Sequence, residues 1–299
     1  MKKWIAMLLA ALMVFSMAAC AAKNEPAADQ TNDQTAADTQ TSEPAEDTAS
    51  GEDAAPAADQ TAADSDMAYV QSKGTLVVGI TDFAPMDYQN ESGEWIGFDA
   101  DMAKAFAESL GVSVEFVEID WDNKLLELGS KSIDCVWNGM TLTDEVTSAM
   151  SCSNAYCNNA QVVIVPADQA DKYQTAEDCA DLVFAAEAGS AGEAEVTALG
   201  YECTPVQSQA AALMEVAAGT CDAAVIDSLM AAAMVGEGTS YENLTYTVQL
   251  NSEEYGVGFR TGSDLADALN EFFKAAYEDG SLLKTAETYG VQAALIEQK

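Results

Sequence analysis

From residue 74 onward, short apolar runs alternate with segments of helical period. Thr75–Ile80 (TLVVGI) has the β-branched character of a strand, and residues 90–93 form a hairpin turn. Met102, Phe106 and Leu110 then recur at i, i+4 and i+8, between Asp99, read as an N-cap, and Gly111 as the stop. A strand over 112–119, a helix over 122–129 and a buried strand over 133–137 follow. Val162–Val165 is an apolar run closed by Pro166. Beyond it, strands at 182–186, 203–206 and 223–226 alternate with helices at 190–199 and 209–218. A strand at 244–250 and a return strand through 255–259 lead to two closing helices, 264–278 and 282–289. Repeated strand–helix units predict an α/β fold with a parallel sheet and helices on both faces.

The amino-terminal pattern differs. Residues 1–19 (MKKWIAMLLAALMVFSMAA) have a basic start and a short apolar run ending in small residues before Cys20. That is a secretory leader with a lipoprotein-type cleavage site, so Cys20 is the expected lipidation site and the membrane surface the expected location. Residues 21–66 lack Leu, Ile, Val and aromatics and are rich in Ala, Asp, Glu, Thr and Pro. Such a segment cannot bury a core, and its like charges favour an extended tether. The predicted organisation is a leader (1–19), Cys20 with an acidic linker (20–66) and a folded region long enough for two compact lobes.

Charge and residue usage narrow the function. Twelve Lys and Arg stand against 50 Asp and Glu, a net charge of −38, which argues against nucleic acid as a partner. Histidine is absent, which removes histidine bases, Ser/His triads and histidine-ligated metals. The seven cysteines form no C-x-x-C pair, and no cofactor or metal site is implied. Cys135, Cys179, Cys203 and Cys221 read as small hydrophobes, whereas Cys152 and Cys157 are close enough for a local bridge to stay open.

A faint internal echo suggests two similar lobes. Leu128-Gly129 leads to Ile133-Asp134-Cys135-Val136 and then Asn138, while Ala218-Gly219 leads to Cys221-Asp222-Ala223-Ala224 and then Asp227. Ligands bind open α/β sheets beyond the carboxyl ends of their strands, so Asn138 and Asp227 are expected to face one another across a cleft.

The segment GTLVVGITDFAPMDYQNESGEWIGFDADMAKAFAESLG, the run WNGMTLTDE and the return strand YGVGFR together resemble the extracellular solute-binding proteins that supply polar amino acids to ABC importers. This family includes the histidine- and glutamine-binding proteins. The resemblance spans about residues 74–290 and implies a two-lobed periplasmic-binding-protein-like fold of two mostly parallel sheets flanked by helices, with a first lobe from 67–165 and 251–299 and a second lobe from 166–250, a small polar solute, a permease partner, a monomer and binding without catalysis. It places Phe83 as the aromatic that stacks on the ligand and Trp121, between Asp120 and Asp122 in an exposed loop, as a second wall. Asn138, Gly139 and Thr141 fall where relatives offer backbone and hydroxyl groups. Gly189, Ser190 and Ala191 open a helix facing the ligand, Glu187 lies at a side-chain specificity position, and Asp227 matches the acid that holds the α-ammonium.

The same residues have structural explanations. Ser190 and Glu193 fit a capping box, Asn138 fits a turn cap and Asp227 a helix N-cap. Arg260, the only arginine, suits a structural ion pair on the return strand.

One departure matters. Where relatives read Thr-x-Glu-Arg and the arginine clamps the ligand carboxylate, this chain has Val146. Losing such a partner costs about 3 to 5 kcal/mol, and a helix N-terminus returns at most about 2. The deficit is about tenfold to a hundredfold in affinity. Either Lys124 substitutes as the cation, or the ligand needs no clamp. Asp82, Glu187 and Asp227 make the expected field negative, which favours a cationic amino acid or amine, for which Phe83 and Trp121 are suitable walls. A ligand sensor and a carboxylate-based lyase on the same fold are the alternatives.

Overall fold

The computed structural model describes residues 65–299. The expected leader, Cys20 and the linker through Asp64 lie outside the described residues.

Helix α1 (Asp66–Lys73) opens this region, with Ser65 Oγ accepting from the Ala68 amide at 3.0 Å. Asp66 was expected to end the linker, yet it is buried and bonded to Arg260, so the folded part begins earlier than composition suggests. Next come β1 (Thr75–Ile80), the hairpin β2 (Tyr88–Gln89) and β3 (Trp95–Ile96), α2 (Phe98–Ser109), β4 (Ser113–Glu118) and α3 (Lys124–Ser130). β5 (Cys135–Thr141), α4 (Asp144–Ala149), β6 (Ser151–Cys152) and β7 (Cys157–Asn159) complete the first passage. The second lobe holds β8 (Gln161–Pro166), β9 (Val183–Glu187), α5 (Ala191–Leu199), β10 (Glu202–Val206), α6 (Gln209–Ala218), β11 (Ala223–Asp227), α7 (Ser228–Met234) and β12 (Leu244–Gln249). β13 (Glu253–Phe259), α8 (Leu265–Glu278) and α9 (Ser281–Tyr289) return to the first.

The first sheet runs β4-β1-β5-β13-β6, with β7 also paired to β13; the second runs β10-β9-β11-β8-β12. In each, the first three strands are parallel and the strands that lead to or from the other lobe are antiparallel. Helices α2 and α8 bury Phe106, Leu269 and Phe273 against the first sheet, where Trp137 meets Phe273 edge-on at 5.6 Å. Val163, Val165, Phe184, Val196 and Val225 form a separate core in the second.

The lobes are joined at Ala160 and at 250–252. The expected boundary between the lobes, at 165/166, falls inside β8, which lies in the interior of the second sheet between β11 and β12. Val162 to Val165 are all buried, as a strand covered on both faces must be; a crossing segment could not bury such a run.

Asp99 does not cap its helix. Gly97, at φ +130°, is the N-cap, and Met86 O stands where a side chain on residue 97 would go. That tight approach starts the helix at Phe98 and turns Asp99 into the core, where its Oδ2 accepts from the Gly139 amide at 2.6 Å and Tyr156 Oη at 2.7 Å.

Arg260 is a structural residue. Its Nε donates to both Asp66 oxygens at 3.0 Å, Nη1 to Ile133 O at 2.8 Å and Nη2 to Asp134 Oδ1 at 3.3 Å. Cys152 and Cys157 are both free thiols, as are the other described cysteines.

Candidate ligand-binding cleft

The carboxyl ends of β5, β9 and β11 converge on a cavity of about 260 Å³ between the lobes. Trp121, Lys124, Asn138, Gly139, Thr141 and Val146 border it from the first lobe; Glu187, Gly189, Ser190, Ala191 and Asp227 border it from the second. Asp144 and Glu145 also line it, so Lys124 is the one cationic residue beside four carboxyls in the lining.

Asp227 terminates β11 and precedes α7 without making a side-chain cap bond. Its Oδ1 accepts from Gln161 Nε2 at 2.9 Å, Tyr255 Oη at 2.9 Å and Asn159 Nδ2, while Oδ2 accepts from Gln209 Nε2. All four donors are neutral. Burial raises the carboxyl well above its usual range and the nearby Glu253 raises it further, against the bonds from Tyr255 and Gln209. Oδ1 is saturated, but Oδ2 has one partner and can accept again.

Glu187, at the end of β9, is 3 % exposed, and its Oε1 has no partner. Burial pushes its carboxyl up to about 8, against the lowering influence of Thr81 and of Lys124. An unpaired acceptor in a nearly closed wall costs free energy until a donor arrives.

Lys124 Nζ donates to Trp121 O at 3.2 Å and, across the cleft, to Gly189 O at 3.0 Å. It lies 5.0 Å from the centre of the Trp121 ring. Burial lowers its pKa, opposed by Glu145, Glu187 and Asp122. Trp121 itself is 8 % exposed and packs with Ile119, Leu128, Val146 and Met150. The acids flanking it suggested an exposed loop; the apolar cluster beneath draws the ring inward. Val146, in the first turn of α4, belongs to this cluster, so the arginine position is an apolar plug.

Two residues expected at the site lie elsewhere. Asp82 is exposed and Phe83 is 2 % exposed, and neither borders the cavity. The Phe83 ring occupies the space a Cβ on Gly139 would need, at 2.4 Å, and meets Tyr255 edge-on at 6.3 Å. It supports the floor of the cleft instead of facing it. Because Tyr255 also bonds Asp227, Phe83 and Asp227 remain linked through a single side chain.

Several polar groups expected at the site are already committed. Asn138 Oδ1 accepts from the amide and hydroxyl of Thr81, and its Nδ2 donates to Thr81 O and Asp87 Oδ2. The Gly139 amide is taken by Asp99, and Thr141 Oγ1 donates to Glu253 at 2.9 Å. Ser190 Oγ accepts from the Glu193 amide at 3.1 Å while Glu193 Oε2 accepts from the Gly189 amide at 2.7 Å, a reciprocal cap that places a negative charge on the first turn of α5.

Sequence reasoning missed Asn159, Gln161 and Gln209. Gln209 is 7 % exposed in a helix segment, QAAALMEVAA, whose only other polar residue is Glu215, and a lone amide there was the available signal.

Two α/β lobes joined by two crossings, with a cavity at their facing strand ends, define a two-lobed binding protein of the periplasmic type. The family described as bacterial extracellular solute-binding proteins, family 3, matches residues 76–292, and the chain belongs to it. It is 27% identical over 225 residues to the L-cystine-binding protein TcyJ of Escherichia coli, covering 74% of this chain and 84% of that protein. The structure of an ABC uptake transporter substrate binding protein from Streptococcus pneumoniae with bound histidine is similar at TM-score 0.70 and 30% identity, covering 78% of this chain and 99% of that one. Cyclohexadienyl dehydratase of Pseudomonas aeruginosa is 29% identical over 122 residues, 40% of this chain and 46% of that enzyme.

Proposed function

We propose that this protein captures a cationic amino acid or related amine by closing its lobes over it, and delivers it to an ABC permease while acyl chains on Cys20 hold it at the membrane. The observation that carries the reading is the unpaired oxygen of buried Glu187 in a cavity that Asp227 also borders. A positive solute supplies donors to Glu187 Oε1 and Asp227 Oδ2 and compensates the burial that now raises both carboxyls. If the solute is an amino acid, Lys124 is the group available to its carboxylate, in place of the arginine absent at Val146. The relatives that bind cystine and histidine support a polar amino acid as the solute class. No helix among the described residues is long and apolar enough to cross a membrane.

A lyase is the second reading, since two carboxyls with raised pKa values line the cavity and part of the chain resembles a dehydratase. Mass spectrometry of bound solutes after incubation separates the two, because a lyase returns product and a binding protein returns its ligand unchanged.

The test is a thermal-shift panel of amino acids, amines and betaines. A ligand at a hundred times its dissociation constant adds about 2.7 kcal/mol of stability. Cationic compounds should give the larger shifts, and Asp227→Asn should abolish them while the fold persists. A large shift with glutamate and none with any cation would refute the electrostatic reading.

A further inference from the structure

Gly189 lies where the second lobe meets the first. Its φ of +70° is one reason for glycine, and a neighbour supplies another. A Cβ built on it would stand 2.7 Å from Cα and 2.9 Å from Cβ of Asp122. The obstruction is backbone, which cannot swing aside as a side-chain tip can. Polar contacts flank the point on both sides. Lys124 Nζ reaches Gly189 O at 3.0 Å, and Gln207 Nε2 donates to Asp120 Oδ1. Residues 120–124 of the first lobe therefore meet residues 189 and 207 of the second at the rim of the cavity that Trp121, Lys124 and Glu187 line.

We propose that Gly189 is the closure stop of this protein. The bare backbone at 189 lets the lobes approach until it rests on Asp122, and only at that separation do Lys124 and Gln207 latch the rim. The inference depends on the lobe-closing function proposed above, and goes beyond it by assigning the end point of closure to one residue. Ordinary carbon contacts lie at about 3.5 to 4 Å, so a methyl group at 189 holds the two segments apart by roughly an additional ångström. That stretches the Lys124 bond beyond the distance at which it counts as a hydrogen bond and leaves the Trp121 side of the cavity open to water.

The experiment compares Gly189→Ala with Gly200→Ala. Gly200 has φ +75° and nothing within 4 Å of the built Cβ, so it carries the same left-handed strain without the contact. Acrylamide quenching of Trp121, isolated by difference against Trp121→Phe, reads closure with no solute present; calorimetric titration with L-arginine reads it through binding. Gly189→Ala should make Trp121 more accessible than Gly200→Ala does, or weaken L-arginine binding by about tenfold or more relative to it. Equal quenching together with equal affinity in the two variants overturns the closure stop. If L-arginine fails to bind the parent protein, the function proposed for that solute falls, and quenching alone still decides whether residue 189 limits closure.

Discussion

Replacing Asp99 by asparagine should stabilise the protein at alkaline pH. Asp87 and Asp99 are both fully buried in the first lobe, bonded respectively to the adjacent Asn138 side chain and Gly139 amide, and each has an Oδ1 without a partner. Burial pushes the Asp99 carboxyl up to about 7, against the bonds from Tyr156 and Gly139. Burial likewise raises Asp87, and the charge of Asp99 raises it further. Because the folded-state value for Asp99 exceeds the unfolded one, the native protein holds a proton that the unfolded chain releases from about pH 4 upward. Stability must therefore fall as pH rises through the window from about 4 to 7. At about 1.4 kcal/mol per pH unit, the displacement from 3.8 to about 7 sets an upper bound near 4 kcal/mol above pH 7. Asparagine keeps an oxygen for Gly139 and Tyr156 and carries no proton to lose over this range. Urea unfolding followed by circular dichroism at pH 5 and pH 8 measures the gap between variant and parent. The gap should move in favour of Asp99→Asn from the lower to the higher pH; Glu187 and Asp227 titrate in both proteins and cancel in the comparison. A gap that stays constant, or moves the other way, would show that no proton is held there.

Two further substitutions test the ion pair and the missing clamp. Arg260→Met strips Asp66 of its partner and leaves the fully buried Asp134 to Lys73 and the Val77 amide, which should cost about 3 to 5 kcal/mol in chemical denaturation; a loss under about 1 kcal/mol contradicts a structural role. Val146→Arg should raise the affinity for neutral α-amino acids such as L-glutamine by about tenfold to a hundredfold in calorimetric titration. No gain would mean that position 146 is not where a ligand carboxylate arrives.

What could be read along the chain was whatever depends on near neighbours. Strands of period two, helices of period 3.6, the Ser190–Glu193 cap and the change from acidic linker to apolar alternation are local, and they were sufficient for the α/β class, whereas the two lobes followed from the likeness to a known family. Arg260 was legible as structural because a lone arginine among so many acids on a return strand has carboxylates within reach. The same local logic misplaced Asp99 as a cap, since an acid before an amphipathic run signals a helix start unless a backbone contact such as Gly97 with Met86 starts the helix earlier. It also ended the linker at Asp66, because composition cannot reveal a partner at residue 260.

The cleft depended on contacts between distant segments. Asp227 is gripped by side chains at 159, 161, 209 and 255, contributed by four elements, and no sequence period relates those positions. Phe83 passed from ligand wall to supporting core because Gly139 leaves it room, and Trp121 turned inward because Val146 and Met150 offered an apolar bed. Sequence alone determined which segments could be strands, helices or tether, through backbone preference and the alternation of apolar side chains. Only the tertiary structure decided which carboxyls were buried, which donors they met and how near the lobes could come, because desolvation and steric contact depend on what packs around a group and not on what precedes it in the chain.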